Sequence, residues 1–201
     1  MILGLDTTGP YCSVSLVGQA SVKAHICEKI NRGHAERLAP MVAEVLAEAG
    51  TNTKDITRLA VCTGPGSFTG LRVALAFAKG FALPRSLPVI GIDALAVRYF
   101  QHDAAGINPA LIYRDIRREE IMFAVYGGQM DKPQISPNVG SMKQAQAKAK
   151  SLDVEMIEAD KIDTRILAWL AENRDPADYP AAPLYSRPPD AKLPSAKGAK
   201  K

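Results

Sequence analysis

The chain has 201 residues, 47% of them hydrophobic, which is enough for one domain of two lobes or for two small domains with a real core. Its formal net charge is only +4, and much of that charge falls in the segment 192–201, so the near-neutral body gives little support to a nucleic-acid-binding surface. Three scattered cysteines without a C-x-x-C pair argue against a disulfide framework or a zinc ribbon and suit a reducing compartment.

Strands and helices alternate through the first hundred residues. Apolar or alternating runs predict strands at 2–5, 12–17, 21–27, 59–62 and 89–92, and apolar spacings of three and four predict helices at 34–49 and 71–81. Gly50 is a suitable stop for the first helix, and Asp93 is a suitable N-cap for a third helix that runs to about Tyr99. This alternation predicts an α/β domain with a mixed sheet.

The second half of the chain is a shorter version of the first. It predicts strands at 110–114, 120–126 and 154–157 and helices at 142–150 and 162–170, the last with Ile166, Leu167 and Leu170 turned inward. In both halves an aspartate ends a strand at the head of a hairpin, Asp6 in the first and Asp115 in the second. This repeat resembles the start of each lobe in the actin, sugar-kinase and heat-shock ATPase architecture.

The predicted fold is therefore α/β, with two lobes of that architecture, mixed sheets and a reduced second lobe. We place the first lobe at 1–105, the second at 106–187, and a disordered basic tail at 188–201 that is either solvated or an arm for a partner. The start of the chain has no basic region before its apolar run, and no apolar run approaches the ~20 residues that cross a bilayer. We expect a soluble, cytoplasmic protein without membrane contact.

Several motifs together resemble one protein family. They are Asp6-Thr7-Thr8, Gly33-His34-Ala35-Glu36-Arg37-Leu38-Ala39-Pro40, Gly64-Pro65-Gly66-Ser67-Phe68-Thr69-Gly70-Leu71-Arg72, Asp115-Ile116-Arg117-Arg118-Glu119-Glu120 and Pro183-Leu184-Tyr185-Ser186-Arg187. In this order they resemble the TsaB family, the dimerisation subunit of the bacterial tRNA threonylcarbamoyladenosine machinery. The match is dense over 1–100, patchy over 110–126, and returns at 183–191, and the glycine-rich stretch is its most specific element.

The glycine-rich turn allows two interpretations. A turn before a helix can hold an anion on free N–H groups, and such a nucleotide or phosphate site would comprise Asp6, Thr7, Gly64, Gly66, Gly70 and Asp115. The stretch matches neither phosphate-loop fingerprint, and no lysine follows it. The other interpretation, which the residues favour, is a tight strand-to-helix elbow, with each aspartate capping its own hairpin turn.

The histidines do not predict a metal site in this chain. The catalytic relative in the same complex carries a His-x-x-x-His pair on its first helix, which places two imidazoles on one face. Here His34 holds one position and Leu38 the other, and His25 and His102 have no companion at ligand spacing. We therefore expect His34 to start a helix or to lie at an interface.

The predicted helices at 34–49 and 71–81 are candidates for a partner surface. The second is apolar nearly all round, so one side can pack on the fold while the other meets another protein, unless both sides pack within the chain. In the family the first two helices pack against a matching pair of the catalytic subunit. The candidate partner-binding residues are His34, Leu38, Met41, Val42, Val45, Phe68, Val73 and Phe77.

The resemblance implies a non-catalytic subunit. It would bind and support the metal-dependent subunit TsaD, which transfers threonylcarbamoyl to the adenosine next to the anticodon. It also implies a TsaE-type ATPase partner and indirect contact with tRNA, with no cofactor on this chain alone and ATP, Mg²⁺ and the metal on the partners. Exposed faces of the two helices would also allow a homodimer in isolation. The alternative is a small independent ATPase or kinase of the same architecture. The missing second histidine and the single glycine, Gly140, in 136–160, where relatives seat an adenosine, favour the subunit.

Overall fold

The structure is a computed structural model that describes residues 1–19, 21–116, 118–128 and 132–185. Its strands are β1 (Ile2–Asp6), β2 (Tyr11–Gly18), β3 (Ser21–Lys29), β4 (Arg58–Cys62), β5 (Val89–Ile92), β6 (Ala110–Asp115), β7 (Ile121–Tyr126), β8 (Ile135–Gly140) and β9 (Glu155–Glu158). Its α-helices are α1 (His34–Glu48), α2 (Phe68–Ala82), α3 (Ala94–His102), α4 (Met142–Leu152) and α5 (Thr164–Leu170).

Two mixed sheets share one strand plan. The first has the order β3-β2-β1-β4-β5, in which β1 to β3 form antiparallel hairpins and β4 and β5 run parallel to β1. The second has the order β8-β7-β6-β9, with two antiparallel pairings and β9 parallel to β6. The second sheet thus repeats the first with one strand fewer, which confirms the predicted two-lobed α/β fold with a reduced second lobe.

Within the described ranges, three clusters of buried hydrophobic side chains lie between the sheets and helices. One lies between the first sheet and the helices α1 and α2 on its outer face. A second fills the space between the two sheets and includes side chains of α3 and α5. A third, smaller cluster lies under α4 on the outer face of the second sheet. The two lobes therefore share the central core rather than folding around separate ones.

The buried hydroxyl groups of β2 form hydrogen bonds with the start of α5. Cys12, Val14 and Leu16 face the outer cluster, while the alternating Ser13 and Ser15 face inward and are fully buried. The Ser15 hydroxyl donates to the Thr164 carbonyl at 2.7 Å, and the Ser13 and Thr164 hydroxyl oxygens lie 3.0 Å apart. These bonds fix the start of α5 on the first sheet.

The structure differs from the sequence expectations in one strand and at the ends of several elements. The strand β8 was not predicted, because its Ser136-Pro137-Asn138 stretch lacks the alternation of a strand. The helix α2 begins at Phe68 rather than at 71, since the Ser67 hydroxyl accepts from the Gly70 N–H and caps it. The helix α3 continues to His102 beyond its confirmed cap Asp93, and α5 begins at Thr164 after the cap Asp163.

The last described segment returns to the first sheet. The Gly91 N–H donates to the Tyr179 carbonyl at 2.9 Å, and the Leu184 N–H donates to the Thr63 carbonyl at 2.8 Å. The chain thereby brings Tyr185 to the start of α2. The lobe boundary at 105/106 stays a prediction. The predicted tail 188–201, with Arg117, Ser186 and Arg187 of the family motifs, lies outside the described residues.

Candidate partner-binding groove and interlobe cleft

The glycine-rich turn packs backbone against backbone. The Ser67 N–H donates to the Thr8 carbonyl at 2.8 Å, and the Thr7 hydroxyl donates to the Gly70 carbonyl at 2.6 Å. A Cβ on Gly66 would collide with Thr8, and a Cβ on Gly70 would collide with the Thr7 carbonyl. These two glycines therefore serve the close approach of the turn to the β1–β2 hairpin, which is the elbow interpretation.

The other members of the predicted phosphate site have different surroundings. Asp6 is 2% exposed and accepts from the Thr8 N–H at 3.0 Å, which is the Asx bond of its own hairpin turn. Gly64 has a left-handed φ of 96° and packs against Leu71. Asp115 is exposed at the end of β6 and lines the cleft between the lobes. The buried Asp6 carboxylate thus bonds within its own turn, and the exposed Asp115 is part of the cleft lining.

The interlobe cleft has a volume of about 1220 Å³. The starts of α1 and α2 and the β1–β2 turn form its first-lobe wall, and Arg114, Asp115 and Glu158 belong to its second-lobe wall. Charges of both signs therefore face the same space. His34, which starts α1 as expected, lines this cleft, and its buried Nε2 has no hydrogen-bond partner within the described part of the chain.

A second, apolar cavity forms a groove between α1 and α2 with a volume of about 530 Å³. Its lining residues are Ala35, Leu38, Phe68, Thr69, Arg72, Val73, Ala76 and Phe77. Phe68 is 41% exposed, Ala76 is exposed, and Val73 and Phe77 are half-buried. The chain therefore covers one side of α2 and leaves the other side open.

The structure corrects part of the predicted partner surface. Met41, Val42 and Val45 are buried in the cluster between α1, α2 and the first sheet, so they have no surface to offer another protein. Leu38 is 1% exposed and reaches the groove only as part of its floor. The amphipathic spacing of α1 marked its core face, and the open face of that helix is the one with Ala35 and Ala39.

An aromatic and cationic cluster, Phe68, Arg72 and Tyr185, stands at one end of the groove. The Arg72 guanidinium carbon lies 3.8 Å from the centroid of the Phe68 ring, and the rings of Phe68 and Tyr185 lie 5.1 Å apart. The Arg72 Nε also approaches the Tyr185 hydroxyl at 3.4 Å. Sequence reasoning did not assign Tyr185 to the site. The Pro-Leu-Tyr-x-Arg resemblance was its one signal, because the contact depends on the returning C-terminal segment.

Ionic contacts hold α1 against β3. Arg37 donates to Glu28 at 2.5 Å and 2.8 Å, and to Glu44 at 2.7 Å. Hydrogen bonds from Arg37 lower the pKa of both carboxyl groups. The groove wall on the α1 side is thus tied to the first sheet as well as packed on it.

The buried thiols are not reactive groups. Burial raises the pKa of Cys12 to about 12 and raises that of Cys62 well above the usual range. Both side chains are therefore neutral thiols near pH 7. Across the described ranges, no three histidine, cysteine, aspartate or glutamate side chains gather closely enough to hold a metal ion. None of the described helices has the length and apolar composition that a membrane crossing requires.

A sequence model of one family matches this chain over residues 26–163, which is more than half of it. That family is TsaD, described as tRNA N6-adenosine threonylcarbamoyltransferase. The chain belongs to this family.

Curated proteins named TsaB are similar to this chain. It is 39% identical over 126 residues to the tRNA threonylcarbamoyladenosine biosynthesis protein TsaB of Escherichia coli K12, which is 62% of this chain and 54% of the relative. The TsaB of Haemophilus influenzae is also 39% identical, over 61% of this chain and 52% of the relative. The chain thus spans about half the length of these curated relatives. The predicted resemblance to TsaB is confirmed.

A solved structure agrees with the fold. A Pseudomonas aeruginosa protein described as similar to peptidase YeaZ superposes with a TM-score of 0.73 and 26% sequence identity. The superposition covers 92% of this chain and 99% of the other. The two-lobed architecture, including the reduced second lobe, is therefore shared with a crystallographically determined relative.

Proposed function

We propose that this chain is a non-catalytic subunit in the biosynthesis of tRNA threonylcarbamoyladenosine, and that it binds and supports a TsaD-type catalytic subunit. The observation that carries this proposal is the apolar groove between α1 and α2, which the chain leaves open. A groove with exposed aromatic and small side chains accommodates helices of another protein. The names of the TsaB relatives supply the process in which such a partner would act.

The position of Leu38 supports the non-catalytic role. It holds the place where a second histidine would complete a His-x-x-x-His pair with His34, and its side chain points into the core at 1% exposure. The proposal therefore assigns the metal, ATP and Mg²⁺ to the partner subunits. A TsaE-type ATPase and tRNA would join through the assembly, in the cytoplasm, and the same open face would form a homodimer when the partner is missing.

The alternative is an independent nucleotide-dependent enzyme. The interlobe cleft, onto which the starts of α1 and α2 open, is the feature that favours it. Against it, amides of the glycine turn are already bonded, since the Ser67 N–H donates to Thr8 and the Gly70 N–H donates to the Ser67 hydroxyl. The subunit role is thus the better supported of the two.

The decisive experiment is co-purification of the tagged chain with the TsaD-type subunit of its own cell. Ala76→Asp places a carboxylate in the groove on an exposed helical position, so the fold is kept while an interface would bury an unpaired charge. We expect affinity to fall by about 100-fold or more. The matched control is Ala147→Asp, the same change on an exposed position of α4.

Three outcomes are distinguishable. Loss of the partner with Ala76→Asp but not with Ala147→Asp supports the proposal, and light scattering would then show whether the isolated variant also loses a homodimer. Equal recovery with both variants would show that the α1–α2 groove is not the docking site. ATP turnover by the purified chain, lost with Asp115→Asn, would establish the enzyme alternative.

A further inference from the structure

Arg114 crosses from the second lobe to the first at one end of the cleft. It lies on β6, where its side chain is 8% exposed. Its Nη1 donates to the Thr8 hydroxyl at 3.2 Å and its Nη2 donates to the Thr8 carbonyl at 3.3 Å. Thr8 belongs to the β1–β2 turn and is 1% exposed, so both partners of this contact are withdrawn from water.

The first lobe is shaped to receive this guanidinium. A Cβ on Gly9 would lie 2.7 Å from the Arg114 Nη2, so the absence of a side chain there leaves the space that the guanidinium occupies. Gly9 does not have a left-handed φ, and its lack of a side chain is therefore not a requirement of the local backbone. The sequence thus provides both halves of the contact, one on each lobe.

Thr8 bonds not only to Arg114 but also to the residue that caps α2. Its carbonyl also accepts from the Ser67 N–H at 2.8 Å, and its own N–H donates to Asp6. Ser67 is the N-cap of α2, and Phe68, which follows it, lines both the cleft and the groove. A displacement of Thr8 would therefore also displace the turn before α2, the helix that lines the proposed partner-binding groove.

We propose that Arg114 is a lobe clamp, which holds the second lobe against the Thr8 turn and thereby fixes the start of α2. A guanidinium suits this task because its planar fork donates two bonds to one residue and stays charged. Bonds from a charged donor in a low-dielectric site are stronger than neutral ones, and leaving such a group unpaired is costly. The clamp adds a contact with a charged donor to the apolar packing of the shared core and to the bonds that join Ser13 and Ser15 to Thr164.

The test is hydrogen exchange of the isolated full-length chain, read at the Thr8, Ser67 and Gly70 amides. We expect Arg114→Ala to speed exchange at these amides by at least about tenfold. In this variant, local opening of the Thr8 turn no longer has to break two bonds to a charged group. Gly9→Ala is an independent variant from the opposite lobe, because its methyl displaces the guanidinium without removing it. It is expected to speed exchange at the same three amides.

The matched control is Arg85→Ala. Arg85 also donates two bonds to backbone carbonyls, to Lys54 at 3.0 Å and to Thr53 at 2.7 Å, but both acceptors lie within the first lobe. Arg85→Ala should leave the exchange rates of the three amides within twofold of those in the original chain. If Arg114→Ala does not fold, the exchange rates of the three amides in Gly9→Ala and Arg114→Lys test the proposal instead. Unchanged exchange in the folded clamp variants, or an equal increase in Arg85→Ala, would overturn the proposal.

Discussion

The two lobes use one strand plan but present different outer surfaces. The helix α2 of the first lobe exposes Phe68 and Ala76 and half-exposes Phe77. The helix α4 of the second lobe exposes a polar middle, in which Lys143 and Lys148 flank Gln146. The sheet topology therefore determines where a helix lies. The side chains on the outer face of the helix determine whether that face suits exposure to solvent or binding to another protein.

The inner faces differ as well. The helix α1 buries Leu38, Met41, Val42, Val45 and Leu46 against the first sheet. The buried residues of α4 are Ala145 and Ala149. The first lobe thus has the larger share of apolar side-chain packing, and changes to its elbow and helices should cost more than comparable changes in the second lobe.

The largest contrast is expected for glycine substitutions at the helix starts of the two lobes. In Gly70→Ala the new methyl would collide with the Thr7 backbone, which cannot move without breaking the elbow, so we expect the free energy of unfolding to fall by more than about 4 kcal/mol. In Gly140→Ala the nearest atom is the Gln144 Oε1 at 2.7 Å, the end of a flexible side chain, and a loss of about 1 kcal/mol is expected. Urea unfolding of both variants measures the difference, and comparable losses would contradict the elbow interpretation.

A smaller contrast is expected for leucine truncation on the outer helices. Leu38→Ala leaves a cavity under α1, and we expect it to lower the free energy of unfolding by about 3 kcal/mol. Leu152→Ala on α4 removes a 41% exposed side chain and should cost less than about 1 kcal/mol. If Leu38 were chiefly a partner contact, its variant would keep the original stability in urea unfolding and lose co-purification with the TsaD-type subunit.

The sequence predicted the order of elements better than the site, for a physical reason. Periodicity reports which residues share a face, so the strand and helix order follows from it, but it does not report what covers that face. Met41 and Val45 were therefore assigned to a partner although they pack on the chain's own sheet. The contacts of Arg114 and of Tyr185 join segments distant in the sequence, so their positions follow only from the folded arrangement.

The smallest effect concerns pH and lies in the first lobe, at His25 on β3. Its Nε2 lies 3.3 Å from the Ser13 hydroxyl, and burial, followed by the nearby Arg165, lowers its pKa below the usual 6.5. Above about pH 6.5 the imidazole is neutral in both the folded and the unfolded chain, so its stabilising contribution is fully present. As the pH falls from there through the lowered folded pKa, the unfolded chain takes up the proton first and the free energy of unfolding decreases.

His25→Gln retains a group that can bond to Ser13 but cannot titrate in this range. We therefore expect the variant to unfold with a flatter pH dependence between about pH 7 and 5.5 than the original chain, because the proton uptake that distinguishes the unfolded state has been removed. Denaturant unfolding at a series of pH values measures this slope. If the slope is as steep in the variant as in the original chain, a group other than His25 takes up the proton. Burial would then not lower the pKa of His25 as stated above.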